Sequence, residues 1–189
     1  HESKASVTEY QTVRTLLSMA IQREQRIGQL DVKNAFVSAD LDSEEQVYLQ
    51  QPKNIDLIRK LSPEIDQFLT IDGYEGPVVL KAVKSIYGLI QAPRRFFQKL
   101  HDCLLKLGFV QTISEECCYR RKAAVDTTGS GDNCSTGQQE AHNATSLKEQ
   151  IGEIFLCAWV DDILIFTNNK EDCDWFILRI QETFKLSPG

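Results

Sequence analysis

The 189-residue sequence predicts an α+β fold, an antiparallel sheet with helices on one face, from three observations. Apolar runs of strand length and apolar stripes of helical spacing follow one another as helix–strand–helix–strand, then strand–helix–strand–hairpin–helix. Two strongly apolar runs, 154–160 and 163–167, flank Asp161 and Asp162 and read as a hairpin. Phe96, Leu100, Leu104 and Leu107, spaced by four, four and three, line one side of a helix that Pro93 opens and Gly108 ends.

The remaining elements follow in order. Thr8 and Gln11 resemble a capping box, and Val13, Leu16, Leu17, Ala20 and Ile21 predict a helix over 9–23. Ile27, Leu30 and Val32 predict a buried strand over 26–32 that ends near Asp31, and 33–41 reads as helical. Residues 46–50 read as a short strand stopped by Pro52. Periodicity is weak from 52 to 76, where Pro63 opens a short helix and Asp72-Gly73 marks a turn. Strands are predicted over 78–83 and 117–121, with a turn-like stretch over 85–93. Residues 123–150, rich in Gly, Ser, Thr and Asn, read as a flexible insertion within one domain spanning 1–189. They carry glycosylation-like triplets at Asn133 and Asn143. A last helix starts near Asn168, with Trp175, Leu178, Ile180, Phe184 and Leu186 as its buried side.

Composition excludes several classes. No apolar run approaches the roughly 20 residues that cross a bilayer, so no membrane partner is expected. The six cysteines form no Cys-x-x-Cys pair and only three histidines accompany them, which argues against zinc. Cys117 and Cys118, being adjacent on a strand, point to opposite faces and begin a disulfide framework poorly. Scattered thiols without a signal peptide suggest an intracellular, reducing compartment. The absence of an initiating Met suggests a piece of a longer protein. The net charge of −6 argues against nucleic acid, yet residues 81–106 carry six basic side chains against Asp102 alone. That segment is either a solvated helix face or a phosphate-facing patch.

The paired carboxylates carry the chemistry. Apolar strands on both sides hold Asp161 and Asp162 near the core, where neighbouring like charges are costly unless a cation neutralises them. A solvated turn is the alternative, since Asp favours turns. Asp31 also ends an apolar strand. If the strands are neighbours, three carboxylates converge, a hard-oxygen set suited to Mg²⁺ and to two-metal catalysis.

Four motifs then stand in order: Gln29-Leu-Asp-Val-Lys-Asn-Ala-Phe36, Val47-Tyr-Leu-Gln-Gln-Pro52, Lys84-Ser-Ile-Tyr-Gly-Leu-Ile-Gln-Ala-Pro-Arg94 and Trp159-Val-Asp-Asp-Ile-Leu-Ile165. Together with Val13–Ser18 and Leu107-Gly-Phe109, they resemble the reverse transcriptase of copia-type LTR retrotransposons. The resemblance implies a polymerase palm-like (RRM/ferredoxin-like) sheet with partial fingers, in a fragment without the N-terminal fingers or thumb. It implies an RNA-directed DNA polymerase, made within a Gag-Pol polyprotein beside a protease, an integrase and an RNase H. Its partners would be an RNA or DNA template–primer and dNTPs, and its location cytoplasmic virus-like particles or the nucleus.

By the same resemblance Asp31, Asp161 and Asp162 are catalytic and, with the Val32 carbonyl, hold two Mg²⁺ or Mn²⁺ ions. Phe36, Tyr87 and Gly88 border the incoming nucleotide, with Phe36 as steric gate or, alternatively, as core packing. Gln91, Arg94, Arg95 and Trp159 are nucleic-acid-binding candidates. Trp159 stands where the family usually has Tyr, and Ile90 where it usually has Lys. A decayed remnant that keeps only the fold is the competing reading. A palm-fold cyclase or metal nuclease would explain the carboxylates but not the motif from Tyr87 to Arg94.

Overall fold

The computed structural model describes residues 7–42, 44–69, 79–122 and 152–187. The insertion 123–150 and the Asp72-Gly73 turn lie outside them. The chain divides into two compact units, one of residues 34–99 and one of 7–33 with 100–187.

In the larger unit, helix α1 (Tyr10–Gln22) leads into strand β1 (Arg26–Asp31), and the rest of the sheet comes from β4 (Val110–Gln111), β5 (Cys118–Arg121), β6 (Ile154–Trp159) and β7 (Asp162–Thr167). The strand order is β1-β7-β6-β5-β4, antiparallel at every pairing. Helix α6 (Lys170–Gln181) follows β7. The mixed helix–sheet class and the antiparallel sheet agree with the sequence reading.

Helices cover both faces of this sheet, which corrects the expectation of one. Ala20 joins buried Cys118, Cys157 and Phe166, with Val13, Leu16 and Leu17 of α1 packed on them. The opposite face carries Tyr119, Leu156 and Ile165. There the His101 Nδ1 of helix α5 (Ala92–Lys106) lies 3.0 Å from the Tyr119 hydroxyl. Helix α6 also approaches that face: a Cβ on Gly28 would lie 3.0 Å from Cys173 Sγ, so the absent side chain admits the helix. The physical reason is in β6, whose apolar run does not alternate and so must be buried on both sides.

Several local expectations change. Thr8 does not cap α1; its buried hydroxyl donates to the Ala158 carbonyl at 2.8 Å. Glu9 is the N-cap, and its N–H donates to the Glu115 carboxylate at 3.3 Å. Ile21 and Ile27 are exposed, since α1 and β1 turn those positions to the surface. On α6 the buried apolar side chains are Phe176 and Ile180, while Leu178 is exposed. Gly108 ends α5 with a φ of 82°, a left-handed turn that glycine adopts without strain.

In the smaller unit, β2 (Tyr48–Gln50) pairs antiparallel with β3 (Val79–Lys81), and Asp40 bridges Lys84. The helix expected over 33–41 shrinks to α2 (Ala35–Ser38), because Asn34 sits in the left-handed region at φ 55°. Helix α3 (Ile55–Leu61) was not foreseen; it buries no residue, so it leaves no clear apolar stripe. Pro63 does open a short turn, Pro63–Ile65, which continues into α4 (Asp66–Leu69).

Candidate functional site

Register places the carboxylates. Six residues of β1 pair with β7, from Arg26 opposite Thr167 to Asp31 opposite Asp162. Residues directly opposite share a sheet face, so Asp31 and Asp162 project to the same side. Trp159, opposite Asp162 on β6, shares that side and is exposed. Asp161 lies in the two-residue turn between β6 and β7, and its carbonyl accepts the Val32 N–H at 2.8 Å. The end of β1 is thereby fastened to the turn. Val160, the other turn residue, has a φ of 54°. A β-branched residue at positive φ is strained, held there by the paired strands on either side.

The segment after α6 secures Asp31 from the opposite edge. Leu186 bridges Val32, the Lys33 N–H donates to the Lys185 carbonyl at 2.8 Å, and the Ser187 N–H donates to the Asp31 carbonyl at 3.0 Å. The Ser187 hydroxyl also donates to Asp31 Oδ2. Gln29 Nε2 donates to Asp162 Oδ1 at 3.1 Å. Neither Ser187 nor Gln29 was singled out from sequence. Ser187 lies 156 residues from Asp31 and carries no local signal, while Gln29, two residues before Asp31 on one strand, could have been found by the period of two.

The three half-buried carboxylates are hard-oxygen ligands of the right chemistry for Mg²⁺ or Mn²⁺. As placed, they are not gathered into a cage: among the described residues no group of three or more His, Cys, Asp or Glu side chains could hold a metal ion. The expectation of full convergence is corrected to this extent. Asp31 and Asp162 are brought face to face, each spending one oxygen on a neutral donor.

The other sequence-derived candidates lie in the smaller unit. Phe36 and Tyr87 have ring centroids 4.8 Å apart at 50°, and Phe36 meets Phe96 edge-on at 6.4 Å. Phe36 is half-buried and Tyr87 exposed. Gly88 has a φ of 97° with open space where a side chain would sit. Gln91 is half-buried and Arg94 exposed. Arg95 is spent on its own unit, donating to Glu45 Oε2 at 2.9 Å and to Asp42 Oδ2 at 2.8 Å. Its guanidinium holds the Glu45 carboxyl below the ordinary value.

No helix among the described residues is long and apolar enough to cross a membrane. Residues 1–128 match the family described as reverse transcriptase (RNA-dependent DNA polymerase), so the match ends before the β6–β7 hairpin. The chain is 32% identical over 116 residues to the retrovirus-related Pol polyprotein from transposon TNT 1-94 of Nicotiana tabacum, covering 61% of this chain and 8% of that protein. It is 34% identical over 118 residues to the corresponding polyprotein from transposon RE2 of Arabidopsis thaliana, covering 62% and 7%. It is 19% identical over 167 residues to the transposon Ty1-BL Gag-Pol polyprotein of Saccharomyces cerevisiae, covering 88% and 7%. The chain thus spans less than a tenth of the length of these relatives. No solved structure matches it at a significant level. The ordered motifs, the family match over more than half of the chain and the plant transposon relatives lead to one conclusion: the chain belongs to the reverse transcriptase family, of the copia type.

Proposed function

We propose that the chain is the palm, with part of the fingers, of an RNA-directed DNA polymerase within a retrotransposon Gag-Pol polyprotein. The observation that carries this reading is the register of Asp31 opposite Asp162, with Asp161 in the adjoining turn. Asp31, Asp161 and Asp162, with the Val32 carbonyl, would hold two Mg²⁺ or Mn²⁺ ions. Two such ions, held by these residues, would supply activation of a primer 3′-hydroxyl and stabilisation of the leaving pyrophosphate.

The chain's own residues bind and orient. Antiparallel pairing fixes the carboxylates before substrate arrives, which lowers the cost of assembling the reacting groups. Trp159 offers an exposed ring beside Asp162 for the primer end. Phe36, packed at a tilt against Tyr87, is assigned to exclude a 2′-hydroxyl, with Tyr87 and Gly88 bordering the nucleotide. Gln91 and Arg94 are assigned to the template path, and Arg95 to bracing the helix surface that carries them. Template–primer, dNTPs and the integrase and RNase H of the same polyprotein are the partners this reading implies, in cytoplasmic particles or the nucleus.

Primer extension on primed RNA with Mg²⁺ or Mn²⁺, by the chain joined to its polyprotein neighbours, tests the proposal. Asp161→Asn should lower synthesis by roughly 100-fold or more, the effect of losing several kcal/mol of charge stabilisation. Synthesis unchanged by Asp161→Asn would sink it.

A further inference from the structure

Cys118 and Cys157 are direct partners across β5 and β6. The ladder shows which kind of pair they form. Ala158 N–H donates to the Cys117 carbonyl at 2.9 Å, making the neighbouring pair the hydrogen-bonded one. Cys118 turns its own backbone groups away from β6: its carbonyl accepts the Thr112 N–H at 2.9 Å, and its N–H donates to the Glu115 carbonyl at 3.1 Å. Cys118 and Cys157 are therefore a non-hydrogen-bonded pair. Such pairs bring Cα atoms to about 4.5 Å, at the near edge of the roughly 4.4–6.8 Å that a disulfide spans. Both side chains lie on the sheet face covered by α1, and both are free thiols.

Burial alone would make these thiols inert. A cavity of about 380 Å³ beside α1 gives small molecules an approach to Cys118, which lines it together with Thr12, Leu16, Thr112, Glu115 and Phe155. Its two acidic side chains, Glu9 and Glu115, disfavour anionic oxidants and leave small neutral ones admissible. The Cys157 thiol also donates to the Thr8 hydroxyl oxygen at 3.5 Å. The first ionisation of the thiol pair is eased because the sulfur that keeps its proton donates to the other. The hydrogen bond to Cys157, then burial and the like charge, resist loss of the second proton, from Cys118.

We infer that Cys118 and Cys157 form a peroxide-reactive dithiol, a modification site that closes to a cross-strand disulfide. The proton that Cys118 donates to the Cys157 sulfur moves across to it, leaving Cys118, the sulfur nearer the cavity, as the thiolate. That sulfur attacks one oxygen of hydrogen peroxide, the O–O bond breaks, and the leaving hydroxide takes up the proton released in the first ionisation to become water. The Cys157 sulfur then attacks the Cys118 sulfenic sulfur, forming the S–S bond and expelling a second water. Two thiols are oxidised by two electrons and one peroxide is reduced to two waters. The new bond ties β6, the strand leading into Trp159 and the carboxylate turn, to β5.

The test treats the 189-residue chain with hydrogen peroxide and maps its peptides by mass spectrometry without reduction. The expected result is a peptide carrying Cys118 joined to one carrying Cys157, separated again by a thiol reductant. In Cys157→Ala the expected product is a Cys118 sulfenic acid trapped by dimedone, with no cross-link. Thiols at 118 and 157 that stay alkylatable in the unfolded, peroxide-treated chain would overturn the inference. So would a disulfide joining either one to another cysteine, or oxidation of Cys118 past sulfenic acid with Cys157 untouched.

Discussion

Ser187 holds Asp31 twice, through its N–H to the Asp31 carbonyl and through its hydroxyl to Oδ2 of the carboxylate. The first contact is structural and would survive loss of the side chain; the second orients the carboxylate. Partners of this kind beside a metal ligand are commonly worth about 10–100-fold in affinity. Ser187→Ala should weaken Mn²⁺ binding roughly tenfold while leaving the unfolding midpoint almost unchanged. Calorimetric titration with Mn²⁺, beside a urea melt, separates the two readouts.

Phe36 packs at 4.8 Å on Tyr87, an arrangement compatible with a gate and with simple packing. The two roles part in Phe36→Val. A gate predicts that discrimination against ribonucleotides falls by roughly 10- to 100-fold, as pocket contacts of this size allow. Packing predicts only a loss of stability. Competing rNTP and dNTP incorporation by the variant polymerase decides.

The Arg95 contacts predict a pH dependence. Hydrogen bonding to the guanidinium lowers the Glu45 pKa in the folded state. A depressed carboxylate contributes stability that is fully present above its ordinary value of 4.5 and is lost as pH falls through the folded value. At pH 7, Arg95→Gln should cost about 1 kcal/mol, as expected of a partly exposed pair. That difference should narrow below the ordinary value, which urea unfolding at a series of pH values would follow.

Asn169 caps α6 by accepting the Asp172 N–H at 2.8 Å on its side-chain oxygen. Asn169→Ala should cost about 1 kcal/mol. A chemical melt showing no loss would mean that the first turn of α6 finds another acceptor.

What could be read from sequence was whatever a local pattern encodes. The hairpin strands were clear because 154–159 and 162–167 are nearly all apolar, and α5 because Phe96, Leu100 and Leu104 recur at one side of a helix. The two-residue β4 is too short to show a period, and Asn34 breaks a helix through a backbone angle that no side-chain pattern announces. The site divided in the same way. Asp31, Asp161 and Asp162 stood out by their place at strand ends. Glu115 at the start of α1 and Ser187 beside Asp31 are long-range partners, 106 and 156 residues distant, and chain folding alone introduces them.

The pairing of β1 with β7 has a consequence for how such a gene can lose its chemistry. Strand side chains alternate, so a one-residue shift turns each of them to the other face. Inserting a single codon between 30 and 31 would turn Leu30 and Asp31 to the same face. Either the strand keeps its apolar contacts and Asp31 swings away from Asp162, or it keeps the carboxylate and loses its packing. Base changes in the apolar positions can be absorbed one at a time, whereas one in-frame insertion there sets the acid pair against the packing in a single event.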